Sequence, residues 1–232
     1  MGVKAFIERI ISFMCHKIII AIASIFKSRG RVFMIHSVGG NSYYEYDISC
    51  EEFEQFLCKI KNYPIIRLEE WESYNNFIAL TADDVHESFY QNAFPLLKKY
   101  RIPFTIFVST SLIDTKGYIS SNQLIEMSRC ELCTIGSHGH SHSMYKKFTK
   151  DTALHDLEIS KKRLSEITGR EIQLYAYPYG SYFACGYNNK RLVQQVYKYG
   201  FGTIKCPITN PLIFPKHFLP RINVDVELLR SL

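Results

Sequence analysis

Short apolar runs alternate with longer helical patterns from Arg31 onward, and this alternation constrains the fold more than any other feature of the chain. The runs are rich in β-branched and aromatic residues, as β-strands are. Parallel strands need helical crossovers between them, whereas antiparallel strands can be joined by tight turns. We therefore predict parallel strands at residues 32–36, 77–81, 104–109, 133–137 and 174–177, with shorter ones at 65–68, 202–205 and 219–224.

Helical patterns fill the segments between these strands. Ser49 and Glu52 have the spacing of a capping box, and Gly169 and Gly200 stand where helix C-caps are expected. A chain of 232 residues is long enough for one well-buried α/β core and short for two. We predict one domain over residues 31–232, an α/β barrel with its functional residues at the carboxyl ends of the strands. The predicted helices are 49–61, 86–100, 121–129, 149–168 and 188–199.

Residues 1–30 are a separate segment, in which the stretch 10–26 is rich in isoleucine, phenylalanine and alanine. His16 and Lys17 interrupt this stretch, and the run after them is far below the roughly 20 residues that cross a bilayer. We predict an N-terminal amphipathic helix, which either packs on the barrel or lies on a membrane surface through residues 5–27. No clean export signal is recognisable, so we expect a cytoplasmic protein, peripheral to the inner face of the membrane in the second case.

The charged residues and the cysteines narrow the class of protein. The net charge of +6 is spread along the chain without a nucleic-acid-binding motif, so we expect no nucleic-acid partner. Seven cysteines without a dense framework do not indicate a disulfide scaffold and favour a reducing compartment. Cys130 and Cys133 form a C-x-x-C pair, but no second pair completes a zinc knuckle, so we assign them to ordinary packing.

Three polar clusters follow predicted strands, at residues 81–84, 137–142 and 177–180. Since the carboxyl ends of parallel strands meet on one face of a barrel, we expect the three clusters to converge. Adjacent carboxylates are costly to bury unless a cation or a proton compensates them. Two histidines and one carboxylate are a common ligand set for catalytic zinc, and the H-x-x-x-H spacing of His138 and His142 places both rings on one side of a helical turn. His140 would then face away or support the ligands.

In their order and spacing these clusters resemble the motifs of the polysaccharide deacetylases, also called the NodB-homology group or carbohydrate esterase family four. The motifs T-F-D-D-G, H-x-x-x-H and R-x-P-x-G/Y of that family correspond to residues 81–85, 138–142 and 176–180. Residues 93–97 and 102–108 are also similar to the family. The resemblance runs from Val32 to Val224 and implies a distorted (β/α)7-type barrel of the NodB/glycoside hydrolase-deacetylase kind.

The resemblance also implies an activity, the removal of an acetyl group from an N-acetylated sugar of a polysaccharide or glycan precursor. It makes Asp83 the general base that acts on a metal-bound water, the nucleophile of the reaction. One divalent metal ion is implied, and we expect zinc. The implied metal ligands are Asp84, His138 and His142, and the implied substrate-binding residues are His36, Tyr177, Pro178 and Tyr179, with the Tyr179 backbone N–H as an oxyanion donor.

Two residues depart from the family pattern. Val85 stands where the family has glycine, so the turn after the carboxylates must form without easy access to positive φ. Ala176 replaces the arginine that pairs with the catalytic aspartate in many relatives. We therefore expect Arg221, on a terminal strand, to pair with Asp83 in its place.

The general acid is the weakest part of the resemblance, because the late L-x-H motif of the family is missing. His217 is the nearest late histidine and our candidate for the acid, with a surface histidine as the alternative. His36, at the end of the first strand, and His86, beside the aspartate pair, are further options. These gaps leave two other functions open, a carbohydrate-binding barrel with little or no turnover and an O-acetyl esterase.

Overall fold

The computed structural model describes residues 14, 17, 18, 20–22, 28–40, 47–186, 190–209, 214–225, 228 and 229. Its strands are β1 (Gly30–Ile35), β2 (Ser37–Val38), β3 (Asp47–Ile48), β4 (Phe77–Asp83), β5 (Phe104–Val108), β6 (Cys133–Ser137), β7 (Leu174–Ala176), β8 (Tyr199–Phe201) and β9 (Ile222–Asn223). Seven of them form one parallel sheet in the order β8-β7-β6-β5-β4-β1-β9, while β2 and β3 form a separate parallel pair.

The large sheet curls until one segment, residues 219–222, connects its two edges. Leu219 forms a parallel bridge with Phe201 of β8, and three residues later Ile222 pairs with Phe33 of β1. All residues of β4 and β5 are buried, as expected for strands with side chains in the barrel interior on one face and helices on the other. This confirms the predicted α/β fold with a distorted barrel of parallel strands.

The helices are α1 (Cys50–Ile60), α2 (Phe94–Lys99), α3 (Ser121–Arg129), α4 (Lys150–Thr168), α5 (Tyr182–Cys185) and α6 (Lys190–Val196). The capping box of Ser49 and Glu52 is present at the start of α1, and Gly169 ends α4 in the left-handed conformation, as predicted. The prediction for Gly200 is wrong, because this residue lies inside β8. A side chain there would meet the His217 carbonyl oxygen at 2.4 Å, so close contact with the next segment explains this glycine.

Several predicted elements differ in the structure. Residues 65–68 form only a bridge between Ile65 and Ile78, followed by a 3-10 turn at Leu68–Ser73 that buries Trp71. The strand predicted at 202–205 lies earlier, at β8. The helix predicted at 86–100 contains a π-helical turn, Phe89–Ala93, directly before α2. Pro95 has no N–H and cannot continue a regular ladder, which accounts for the irregular turn ahead of it.

The predicted N-terminal amphipathic helix falls mostly outside the described residues. Residues 14, 17, 18 and 20–22 are helical, and Ile20 packs against the hydrophobic core. Contact of residues 5–27 with a membrane stays a prediction, because most of that segment lies outside the described residues. Within the described ranges, no helix has both the length and the apolar character to span a membrane.

Candidate metal centre and active site

A cavity of about 500 Å³ opens at the carboxyl ends of the central strands. The three polar clusters meet there, as the sequence predicted. Side chains from β1, β4, β9 and the loops after β6 and β7 supply most of its wall. The lining residues are Met34, His36, Asp83, Asp84, His86, Tyr118, His138, His142, Tyr177, Tyr179, Gly180, Thr203 and Asn223.

Asp84, His138 and His142 each present one ligand atom, and these atoms lie within 4.8 Å of one another. The Asp84 Oδ1 atom is 2.9 Å from His142 Nε2 and 3.6 Å from His138 Nε2. His138 Nδ1 lies 2.9 Å from the Ala176 carbonyl oxygen, which can only accept a hydrogen bond. Nδ1 therefore carries the proton, and Nε2 presents its lone pair to the cluster.

The buried carboxylate of Asp84 tests whether these residues fit a metal ion. Its Oδ1 atom makes no hydrogen bond to any described residue, although His142 Nε2 is only 2.9 Å away. A buried carboxylate oxygen that faces imidazole nitrogens is costly unless a proton or a cation lies between them. A cation bound by Asp84, His138 and His142 would remove this cost, and one carboxylate with two imidazoles is a ligand set of catalytic zinc sites. The residues therefore fit one divalent ion.

Asp83 is buried beside this cluster and is held by Arg221, which is completely buried. Arg221 donates from Nη1 to Asp83 Oδ1 at 2.6 Å and from Nη2 to Oδ2 at 2.7 Å. Its other donors bind the Thr81 hydroxyl at 3.3 Å and the Gly202 carbonyl at 3.1 Å. The contact expected from the sequence is thus present, and a cation from the end of the chain occupies the role left open by Ala176.

The protonation states follow from these contacts. Burial raises the pKa of Asp83, but the positive charge of Arg221 outweighs it, so the pKa lies below its ordinary value. The pKa of Asp84 is also lowered, since the imidazoles of His142 and His138 outweigh burial. Burial lowers the pKa of His138. The pKa of His142 is raised, because Asp84 outweighs the opposing effect of burial. Both carboxylates are therefore ionised at neutral pH, and His138 is neutral.

Strained backbone surrounds the cluster. Asp84 and Val85 have φ of 62° and 53°, and the Val85 N–H donates to the Asp83 carbonyl oxygen at 2.7 Å across a tight turn. We expected Val85 to hinder positive φ, yet the structure has it in that conformation. Its side chain is fully buried, which offsets the strain. His142 and Tyr179 also have positive φ, at 50° and 62°. Such strain concentrates at functional sites.

The three histidines considered as the general acid differ in their position relative to the cavity. His36 and His86 line the cavity, and the ring of His86 stacks on Tyr118 with centroids 4.7 Å apart. His217 is absent from the cavity wall. The neighbouring Lys216 pairs with Glu72, which precedes the amino end of β4, whereas Asp83 ends that strand. His217 as the general acid therefore stays a prediction, and its position is away from the described cavity wall.

The third motif contributes two of its three predicted substrate-binding residues to the wall. Tyr177 lines the cavity and donates its hydroxyl to the His217 carbonyl oxygen at 3.0 Å. Tyr179 is 55% exposed, with its ring centroid 5.2 Å from that of His142. Pro178 is buried and lies outside the described cavity wall, and its role as a substrate contact stays a prediction.

Several wall residues were missed by the sequence analysis. Met34 lies two residues before His36 on β1, so the alternation of the strand could have indicated it. Asn223 pairs with Met34 in register, but this pairing depends on the return of the chain to β1. Tyr118 and Thr203 lie in loops, and no local pattern marks them.

Comparisons with known proteins agree with this geometry. The family model described as polysaccharide deacetylase matches residues 72–204. The poly-beta-1,6-N-acetyl-D-glucosamine N-deacetylase of Staphylococcus aureus is 29% identical over 157 residues, which cover 58% of this chain and 54% of that protein. A protein of the same name from Staphylococcus epidermidis is 28% identical over 164 residues, or 61% of this chain and 57% of that protein. The chain thus spans about half the length of the curated relatives it matches.

Solved structures share the fold. A Streptococcus pyogenes deacetylase in complex with acetate has a TM-score of 0.78 at 22% identity, with 88% of this chain and 98% of that chain covered. A polysaccharide deacetylase from Bacillus cereus has a TM-score of 0.77 at 21% identity, with 88% and 69% covered. At these identities the likeness shows the fold alone. Because the family model covers more than half of its residues, this chain belongs to the polysaccharide deacetylase family.

Proposed function

We propose that this protein is a metal-dependent hydrolase that removes the acetyl group from an N-acetylated sugar of a polysaccharide or glycan precursor. The observation that carries the proposal is the convergence of Asp84, His138 and His142 beside the buried, ionised Asp83 in one cavity. The names of the Staphylococcus relatives make β-1,6-linked N-acetylglucosamine the first substrate to test.

In this proposal Asp84, His138 and His142 hold one divalent ion, with zinc as the expected metal. Such an ion, when bound, polarises an amide carbonyl and lowers the pKa of water. His138 is prepared for this role by its Nδ1 contact with the Ala176 carbonyl oxygen. The pKa of His142 is raised in the metal-free protein, so the ion must displace a proton from this ligand as it binds, and affinity for the ion should weaken as the pH falls.

Asp83 is the proposed general base. Its Oδ2 atom lies 3.8 Å from His138 Nε2, so the carboxylate borders the ligand cluster without belonging to it. Each carboxylate oxygen has two lone pairs, so the two bonds from Arg221 leave acceptor capacity for the proton of an attacking water. Arg221 fixes the orientation of this base and keeps it ionised, at the expense of basicity.

We assign the proton donor for the leaving amine to His36. This residue directly follows β1, whose Ile35 pairs with Ala82 of β4, so His36 lies beside the aspartate pair. The charge of His36 also acts on the pKa of both Asp83 and Asp84. Burial lowers the pKa of His86, which stacks on Tyr118, so this ring is less often protonated at neutral pH.

Tyr179 is the proposed substrate contact. Its exposed ring, beside His142, offers an apolar face on which a sugar can stack. Its backbone N–H is the proposed oxyanion donor, in the sense that it would stabilise the negative oxygen of the transition state.

Acetate release is the test of the proposed function. We expect release from β-1,6-linked N-acetylglucosamine oligomers, its loss with a chelator and its return with zinc. His36→Gln should lower release by roughly 10²–10⁴-fold, as for loss of a general acid. His217→Gln, the matched control, should leave release near the wild-type rate.

Three results would contradict this assignment. Zinc-loaded protein that binds the oligomers but releases no acetate would indicate a carbohydrate-binding barrel. Release from O-acetyl sugars alone would indicate an esterase. A loss of release in His217→Gln with full retention in His36→Gln would return the proton donor to His217.

A further inference from the structure

The loop at residues 138–142, called here the ligand loop, carries both histidine ligands and is held from behind by helix α4. The carboxylate of Asp156 on that helix is buried, with 6% of the residue exposed. Its Oδ2 accepts the His140 N–H at 2.8 Å, and its Oδ1 accepts the Ser141 N–H at 3.0 Å. The Tyr145 hydroxyl donates to Oδ2 at 2.7 Å. One carboxylate therefore fixes two consecutive peptide groups between the two metal ligands.

Ser160, one helical turn further along α4, extends the same contact. Its hydroxyl lies 3.0 Å from the Gly139 carbonyl oxygen and 2.7 Å from the Ser137 hydroxyl. The Ser137 hydroxyl in turn accepts the Gly139 N–H at 3.1 Å. Residues four apart lie on one face of a helix, so Asp156 and Ser160 form one polar strip directed at the ligand loop.

Gly139 shows how closely the helix approaches. Its φ is +79°, and a side chain there would meet the Asp156 Oδ2 atom at 2.9 Å. The other side of the loop is held by the segment after β5, where the Thr110 N–H donates to Gly139 O at 3.1 Å and the Ser111 N–H donates to His140 O at 3.0 Å. The ligand loop thus has hydrogen-bonded support on both sides.

We propose that Asp156 is a positioning residue of the metal centre, acting through the backbone of the ligand loop. Asp156 is not part of the described cavity wall, and its contacts are with the loop and Tyr145. By fixing the His140 and Ser141 peptides, it holds His142 in its left-handed conformation, with Nε2 2.9 Å from Asp84. This inference rests on the metal centre of the proposed function.

Asp156→Asn is the discriminating variant. Asparagine has the same shape, but its NH₂ group would face one of the donors that the carboxylate now accepts, so the loop must shift. We expect zinc affinity to fall by about 10–100-fold, as is usual when an outer partner of a metal ligand is lost. The matched control is Glu158→Gln, which neutralises an exposed carboxylate on the same helix and should keep wild-type affinity.

Two measurements on the full chain separate positioning from a merely structural role. The first is zinc affinity of metal-stripped protein by competition with a chromophoric chelator, and the second is the visible spectrum of the cobalt-loaded protein. We expect weaker binding and an altered cobalt spectrum in Asp156→Asn. Wild-type affinity with an unchanged spectrum would overturn the inference, even if the variant were less stable.

A second variant keeps the inference testable if Asp156→Asn does not fold. Ser160→Ala removes one hydrogen bond to the ligand loop, and zinc affinity should fall by a few fold, whereas wild-type affinity would overturn the inference. Failure of the proposed function looks different. Wild-type protein that binds zinc but releases no acetate would defeat the deacetylase proposal alone, and wild-type protein that binds no zinc would defeat both.

Discussion

The two sides of the cavity are held by different means. On the carboxylate side, Asp83 of β4 is fixed by a buried charge pair with Arg221, 138 positions later in the chain. On the histidine side, the ligand loop is fixed by Asp156, whose partners His140 and Ser141 lie 16 and 15 positions earlier. Orientation of the proposed base therefore depends on closure of the whole barrel, whereas orientation of the proposed metal ligands depends on packing of one helix against its own loop.

Removal of Arg221 should break the carboxylate side and produce the largest effect. Arg221→Met leaves the buried Asp83 without its cation, and we expect the free energy of unfolding to fall by about 3–5 kcal/mol. The control Lys99→Met removes a cation from the exposed pair with Glu54 and should change the free energy of unfolding little. Urea unfolding of the metal-free proteins measures both. Equal losses would show that Arg221 does not hold this side of the cavity.

The histidine side should respond to a single methyl group. Gly139→Ala combines positive φ with a contact of 2.9 Å to Asp156, and we expect a loss of about 2–4 kcal/mol. Gly169→Ala has the same sign of φ but open space around it, so it should cost only about 1 kcal/mol. Thermal and urea unfolding compare the pair. Similar losses in the two variants would mean that the close approach of α4 contributes little.

The smallest expected effect is the opposite pH response of the two sides in metal-free protein. The folded pKa of Asp83 is lowered, so its contribution is present above about pH 3.9, its unfolded value, and is lost as pH falls through the folded pKa. The folded pKa of His142 is raised, so its contribution is present below about pH 6.5 and is lost as pH rises through the folded pKa.

Variants that cannot titrate provide the measurement. The free energy of unfolding, measured in urea across the pH range, should fall less at low pH in Asp83→Asn than in wild type. It should fall less at high pH in His142→Gln than in wild type. If the free energy of unfolding falls at low and at high pH in both variants as it does in wild type, the assigned protonation states are contradicted.

The comparison also shows what the sequence could and could not predict. The convergence of Asp84 and His138 was predictable because each follows an apolar run that forms a strand, whereas their assignment as metal ligands came from the family resemblance. The contact between Arg221 and Asp83 could be anticipated only from the replacement at Ala176, since no local pattern links two residues 138 positions apart. Loops lack any such pattern, which is why Tyr118 was missed.

Asp156 was missed although a signal exists in the sequence. On α4 the buried positions are Ala153, Asp156, Leu157, Ser160 and Leu164, a helical stripe in which two members are polar. A polar residue inside an apolar stripe needs a buried partner. The sequence could have indicated that such a partner exists, but the loop that provides it becomes identifiable only in the folded structure.

Metal content is the most direct test of the central claim. Protein stripped with a chelator, reloaded with zinc and desalted should carry about one ion per chain in wild type and in Asp83→Asn, which keeps all three ligands. Asp84→Ala and His138→Ala should retain only traces by elemental analysis. Equal trace amounts in wild type and in the ligand variants would contradict the account, as would one full equivalent in all of them.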